Sequence, residues 1–324
     1  MEGRQMSGLK IIGLGRALPK KKVHNDDLAQ MMETSDEWIF TRTGIHERRF
    51  CEKDESATTL AIRAAKEACQ NAGIRGDELG AIVVASMSSD FATPSMACLV
   101  AASLFAEEDC VSLDISAACS GFVYGLEVAR GLLSASPKKK ALVIGTEQLS
   151  RLLKMEDRTT AVLFGDGAGA CVVEESTGLY AAFLGSRGDF SIVAPGIYTG
   201  AFDGFYEDGS EEKEKLGQGA TAGKHQKIDH LLMDGKEVFL FAIDIIPKCI
   251  EAVLKKTSDR LEDVDYVVCH QANSRIIRNV VRHLKAEPGQ FFEDMELYGN
   301  TSGASIPIAL KDMEEQGLLK TGEK

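Results

Sequence analysis

Two stretches of this sequence repeat one design. Residues 119–140, CSGFVYGLEVARGLLSASPKKK, and residues 300–324, NTSGASIPIALKDMEEQGLLKTGEK, each follow a strand-like run and open on small residues. Each continues as an amphipathic helical pattern, then reaches Gly-Leu-Leu (131–133 and 317–319) and a lysine-bearing turn. A strand-helix unit that recurs in this way points to two similarly built α/β halves, since each unit must bury its apolar face against a sheet.

The runs around the first stretch agree. KIIGLG (10–15), AIVVASMS (81–88), CVSLDIS (110–116), ALVIGTE (141–147) and AGACVVEE (168–175) alternate with helical patterns, which predicts a largely parallel sheet. The second half restarts with YAAFLGSRGD (180–189), DYVVCHQ (265–271) and FFEDMELYG (291–299), all read as strands. The halves divide as residues 1–177 and 178–324. Two strands follow the first stretch but none follows the second, so the symmetry predicts a second half without its last two strands. Residues 207–226, rich in Gly and charge, read as an exposed loop.

At 324 residues and 44% apolar composition the chain can bury a substantial core. A formal net charge of −12 opposes general nucleic-acid binding. No apolar run reaches the roughly 18 residues of a membrane span, and the first residues lack a leader pattern, so the expected location is the cytoplasm. The eight cysteines are scattered without C-x-x-C, and the six histidines form no H-x-x-x-H pair, so reduced thiols and no metal site are expected. Gly13-Leu14-Gly15 precedes Leu18-Pro19 rather than a helix, and Gly165–Gly169 sits between two β-like runs. Both read as tight turns that bring backbones close, not as phosphate loops.

Three side chains stand where an α/β fold can use them. If a helix begins near Ser120, Cys119 lies at its N-terminus, where free N–H groups favour a thiolate. A packed structural cysteine would fit the same place equally well. His270 ends the run DYVVC, and Asn300 follows FFEDMELY through Gly299. Singly, each has an ordinary structural explanation, Asn300 as a helix cap among them.

Together they are specific. TSDEWIFTRTGI (34–45), DISAACSGF (114–122), VLFGDGAGA (162–170), CHQANSRI (269–276) and YGNTSGAS (298–305) resemble, in this order, the motif set of the β-ketoacyl-acyl-carrier-protein synthase III family. The resemblance runs from about Lys10 to Lys320. It implies the duplicated thiolase-like fold, layered αβαβα, packed as a homodimer. It implies that Cys119 takes an acyl group from acyl-CoA, and that His270 and Asn300 stabilise the enolate left when malonyl-acyl carrier protein loses CO2. Acyl-CoA is then a substrate, and no cofactor is implied.

By the same resemblance Trp38 and Arg158 sandwich the adenine of CoA, Thr34 and Arg42 contact its nucleotide end, and Asn273 meets the pantetheine arm. Arg275, Arg278 and Arg282 share one face of SRIIRNVVRHL, opposite Ile276, Ile277, Val280, Val281 and Leu284. That face reads either as solvated charge or as a docking patch for an acidic carrier protein.

Three departures matter. Leu240 follows Phe239 where many members have a lysine. Thr93 precedes Pro94 where acetyl-primed members often have a phenylalanine that closes the partner subunit's acyl pocket, so a deeper pocket is expected. The family's final strand, glycine-rich turn and last strand are absent from the sequence, and that turn supplies a donor to the oxyanion hole. Two alternatives stay open: a related condensing enzyme of specialised metabolism, and a truncated, non-catalytic thiolase-fold homologue that serves as a dimer partner.

Overall fold

The β-like runs of the first half form one five-stranded sheet. The computed structural model describes residues 8–196, 228–287 and 289–324. In chain order, β1 (Gly8–Ala17) leads through β2 (Lys21–His24), α1 (Asn25–Ala29), α2 (Asp36–Thr43) and β3 (Glu47–Phe50) to α3 (Ala57–Ala72). Next come β4 (Leu79–Ala85), α4 (Met96–Ser103), β5 (Val111–Ile115), α5 (Gly121–Ala135), β6 (Lys140–Glu147) and β7 (Gly167–Ser176). The sheet order is β1-β7-β6-β4-β5. Strand β4 is buried along its whole length, as its unbroken apolar run requires.

The sheet is mixed rather than largely parallel. Strand β4 pairs parallel with β5 and β6, but β7 pairs antiparallel with both β6 and β1. A parallel return needs a crossover, normally a helix. Between β6 and β7 the regular structure is a single 3-10 turn, Leu149–Leu152, so the chain comes back antiparallel.

Helices cover both faces. On one, α3 and α4 pack Leu60, Ala64, Met96 and Val100 against Ile82, Val84, Leu142 and Ile144. Helix α3 is cut to length by its ends: Ser56 accepts from the Thr59 N–H, and Gly73 closes it at φ +66°. Small residues let it lie close. A Cβ on Gly15 would stand 2.3 Å from the Ala64 carbonyl oxygen, so the first glycine pair brings backbones together as expected, but from within a strand and not a turn. Gly167 and Gly169 likewise lie in β7.

The rest of the chain continues with β8 (Ile192–Val193), β9 (Leu232–Met233), α6 (Gly235–Thr257), α7 (Ser274–Leu284), α8 (Met295–Tyr298) and α9 (Ser305–Glu315). On the second face of the large sheet, α5 packs Phe122, Ala129 and Leu133 beside Ile306 and Leu310 of α9. The two helices that the repeat paired in sequence thus share one core. Their entry turns meet as well: a Cβ on Gly145 at the end of β6 would fall 2.1 Å from the Gly303 carbonyl oxygen, so only glycine lets the 300–304 segment settle on the sheet.

The second half departs from expectation. Residues 180–189 form no strand, 265–271 contribute a lone parallel bridge from Val267 to Phe291, and 291–299 contain α8. A strand exists only through its ladder, and Asp265 and Tyr266 instead donate their N–H groups to the Lys324 carbonyl. The loop read at 207–226 lies outside the described residues. Among the described residues no helix is long and apolar enough to cross a membrane.

Candidate active site

Strand β5 ends at Ile115, and a 3-10 turn, Ala118–Ser120, carries the chain into α5. Ala118 holds φ +43°, a left-handed conformation that an alanine adopts at a cost of roughly 1–3 kcal/mol. That kink exposes Cys119 on one wall of a cavity of about 470 Å3, which His270 and Asn300 also line. The structure therefore brings together the three side chains singled out from the sequence.

Their surroundings differ. Burial pushes the Cys119 thiol above its ordinary range, and hydrogen bonds with the Ser302 side chain and its own backbone N–H offset this only in part. Burial thus acts against the thiolate that the helix-end position favours. Burial pulls His270 down to about 4, so its imidazole is neutral at physiological pH; a hydrogen bond to the Ser302 backbone acts weakly the other way. His270 Nδ1 stands 2.7 Å from Ser305 Oγ.

Asn300 is 7% exposed and is held by its backbone: its N–H donates to Leu163 (2.8 Å), and its carbonyl accepts from the Gly165 N–H (3.0 Å). Its Oδ1 accepts from the Ser302 N–H at 2.8 Å, which directs the amide NH2 away from that bond. Among the described residues that NH2 has no protein partner, leaving two donors beside Cys119 and His270.

A second cleft of about 820 Å3 runs outward, sharing Met233, Val238, Ala272, Ile276 and Asn300 with the cavity. Its walls carry Trp38, Arg42, Arg158, Asn273, Arg275, Arg278 and Arg282. The guanidinium carbons of Arg42 and Arg158 rest 4.5 Å and 5.1 Å from the Trp38 ring centre, so two cations already contact that ring. Asn273 caps α7 through Oδ1 and donates from Nδ2 to the Arg42 carbonyl, tying α2 to α7. Arg278 and Arg282 are exposed on α7 while Ile276, Ile277 and Val280 are buried, as the helical pattern required. Thr34 does not line the cleft; its hydroxyl is buried without a partner. Thr93 is exposed and lies off this chain's own cavity.

Sequence reasoning missed four participants. Lys236, at the start of α6, adds a cation across the cleft from α7. Glu147, at the end of β6, is fully buried, and desolvation pushes its carboxyl up to about 8. It accepts from the Met87 N–H and bonds the Ser86 and Ser88 hydroxyls, fixing Met87 in the cavity wall. Ser302 and Ser305 sit inside a quoted motif, but a serine in a turn carries no signal of what it touches.

Comparison with known proteins identifies the family. The family models for 3-oxoacyl-[acyl-carrier-protein] synthase III and for its C-terminal region match residues 113–188 and 254–324. A β-ketoacyl-[acyl-carrier-protein] synthase III of Clostridium tetani is 40% identical over 97% of this chain and 92% of its own. The crystal structure of 3-oxoacyl-[acyl-carrier-protein] synthase III from Aquifex aeolicus superposes with a TM-score of 0.80 at 40% identity, covering 98% of this chain and 94% of that one. That from Pseudomonas aeruginosa gives 0.83 at 34% identity, covering 98% and 92%. The fold is thus thiolase-like. With such identity across nearly its whole length, the chain belongs to the β-ketoacyl-acyl-carrier-protein synthase III family.

Proposed function

We propose that this chain is a condensing acyltransferase that joins an acyl-CoA primer to malonyl-acyl carrier protein, opening type II fatty-acid synthesis. The observation that carries this reading is the meeting of Cys119, His270 and Asn300 at the inner end of a cleft whose mouth holds Trp38 and a ring of arginines. Cys119 attacks the thioester carbonyl, the carbon–sulfur bond to CoA breaks, and the departing sulfur takes the thiol proton. Malonyl-carrier protein then enters and loses CO2, and the enolate oxygen accepts hydrogen bonds from Asn300 NH2 and the His270 ring. The enolate carbon attacks the acyl-cysteine, a carbon–carbon bond forms, and Cys119 leaves as thiolate to be reprotonated. Purified protein given both substrates should release CO2 and form β-ketoacyl-carrier protein. A folded protein that does neither at any primer length is the non-catalytic homologue instead.

The cleft suits CoA. The indole offers a flat surface to a purine, and the cations offer partners for phosphates. Trp38→Ala should raise KM for acyl-CoA by roughly 5- to 150-fold, the ~1–3 kcal/mol of one base stacked on an aromatic ring, with kcat little changed. The chain has a single tryptophan, so CoA binding should also alter its fluorescence through displacement of the arginines. No fluorescence change at saturating CoA would contradict a slot on Trp38.

An exposed sheet edge supports an assembly of two copies. Strand β5 pairs with β4 alone among the described residues, and Val111 and the nearby Phe105 are 48% and 87% exposed. Such an edge invites a second copy, and we take the active species as a homodimer in which each Thr93 meets the partner's acyl pocket. With threonine there, C6–C8 and branched primers should be used at least as well as acetyl-CoA. A large loss of kcat/KM with C6–C8 primers would reject the deeper pocket.

A further inference from the structure

The neutral His270 ring has one proton and two nitrogens to hold it, and the structure addresses one of them directly. Ser305, the first residue of α9, is 2% exposed. Its Oγ lies 2.7 Å from His270 Nδ1 and 3.2 Å from the backbone nitrogen of Gln271. The Gln271 N–H can only donate, so Ser305 Oγ accepts there, and the hydroxyl proton remains to be given elsewhere.

We propose that Ser305 is a positioning residue that donates to His270 Nδ1 and so keeps the ring proton on Nε2, the nitrogen left to the cavity. This inference rests on the enolate-stabilising role given to His270 above. With Nε2–H, the ring and the Asn300 amide present donors to the oxygen on which charge develops. In the opposite tautomer a lone pair would face that charge, and the ring would oppose the step it should assist. The Ser302 backbone also hydrogen-bonds the ring.

The placement makes the device rigid. Gln271 and His270 are adjacent, so one hydroxyl fixes both the peptide after the histidine and the ring itself. Gln271 is 1% exposed and donates its side-chain amide to the Cys269 and Phe292 carbonyls while accepting from the Asp294 N–H. Ser305 in turn begins the helix whose Ile306 and Leu310 pack on the large sheet beside α5. The helix that follows Asn300 therefore also sets the histidine.

The test is the tautomer itself. Long-range nitrogen–proton spectra of histidine-labelled protein, with His270 assigned by its loss in His270→Ala, should show the Nε2–H pattern in the wild type. Ser305→Ala should shift His270 toward Nδ1–H and lower CO2 release from malonyl-carrier protein roughly tenfold, the scale of one hydrogen bond, with KM unchanged. Ser305→Thr, which keeps the hydroxyl, should restore both. An Nδ1–H pattern in the wild type, or a Ser305→Ala protein with unchanged spectrum and rate, overturns the proposal. If His270→Ala itself leaves CO2 release intact, the role of the histidine fails instead, so the two failures are distinct.

Discussion

Cys119→Ala is expected to form no acyl adduct with any acyl-CoA and to lose condensation by at least about 10³-fold, the scale seen when a nucleophile is removed from a preorganised site. Intact mass after mixing with acyl-CoA reads the first effect, and β-ketoacyl-carrier protein formation the second. No other thiol can stand in, because Cys119 alone of the eight cysteines lines the cavity with His270 and Asn300. Serine should fare little better than alanine. Its hydroxyl is a far weaker nucleophile than a thiol, and the burial that already raises Cys119 would disfavour an alkoxide still more. For the wild type the sign is definite: with the thiol raised above its ordinary range, the acylation rate should climb with pH through neutrality and beyond. A plateau reached well below neutral pH would mean that a thiolate is present at rest. Since His270 and Asn300 are untouched, Cys119→Ala should still decarboxylate malonyl-carrier protein, which separates the two halves of the reaction. An adduct that persists in Cys119→Ala would place the nucleophile elsewhere.

How far the sequence foretold this site depends on which forces leave a trace in local pattern. The strands β4 and β6 were legible because central strands buried on both faces read as unbroken apolar runs. The α7 stripe was legible for the same reason, since its buried Ile276, Ile277 and Val280 and its exposed arginines follow the helical period. Residues 291–299 carry aromatic residues that favour a strand, yet a strand also needs a neighbour, and that is a tertiary fact; here Met295–Tyr298 coil into a helical turn. The convergence of Cys119, His270 and Asn300 was visible only through the family's motifs, because nothing local says that residues so far apart share a cavity. The opposing effect of burial on the thiol was not legible, since burial acts on Cys119 through the whole cavity and leaves no mark in nine residues of sequence. Ser305 was missed because hydroxyls are ordinary at helix starts, and Lys236 because a single lysine carries no local sign of the cleft it faces.

His270→Ala and Asn300→Ala should each slow CO2 release from malonyl-carrier protein by roughly 10²–10³-fold, the loss found when one donor to a developing oxyanion is removed. The Cys119→Ala background is the place to measure it, because no acyl group then obscures the step. Asn300→Asp should be worse than alanine: a carboxylate in the same space offers no donor when ionised and sets a negative charge beside the forming enolate. The two donors face one oxygen, so the double variant should lose much less than the product of the single losses. The histidine also carries a signature in pH. Burial pulls it from an ordinary 6.5 to about 4, so above that value the ring is already neutral and gains nothing as pH rises through 6.5. CO2 release should therefore show no inflection near 6.5, and any inflection that vanishes in His270→Ala should lie near 4. An inflection near 6.5 that His270→Ala removes would show that the ring is not held neutral by its surroundings. If the rate fell as pH rose through it, the ring would act as an imidazolium, and the donor to the enolate would be a charged group instead of an oriented neutral one.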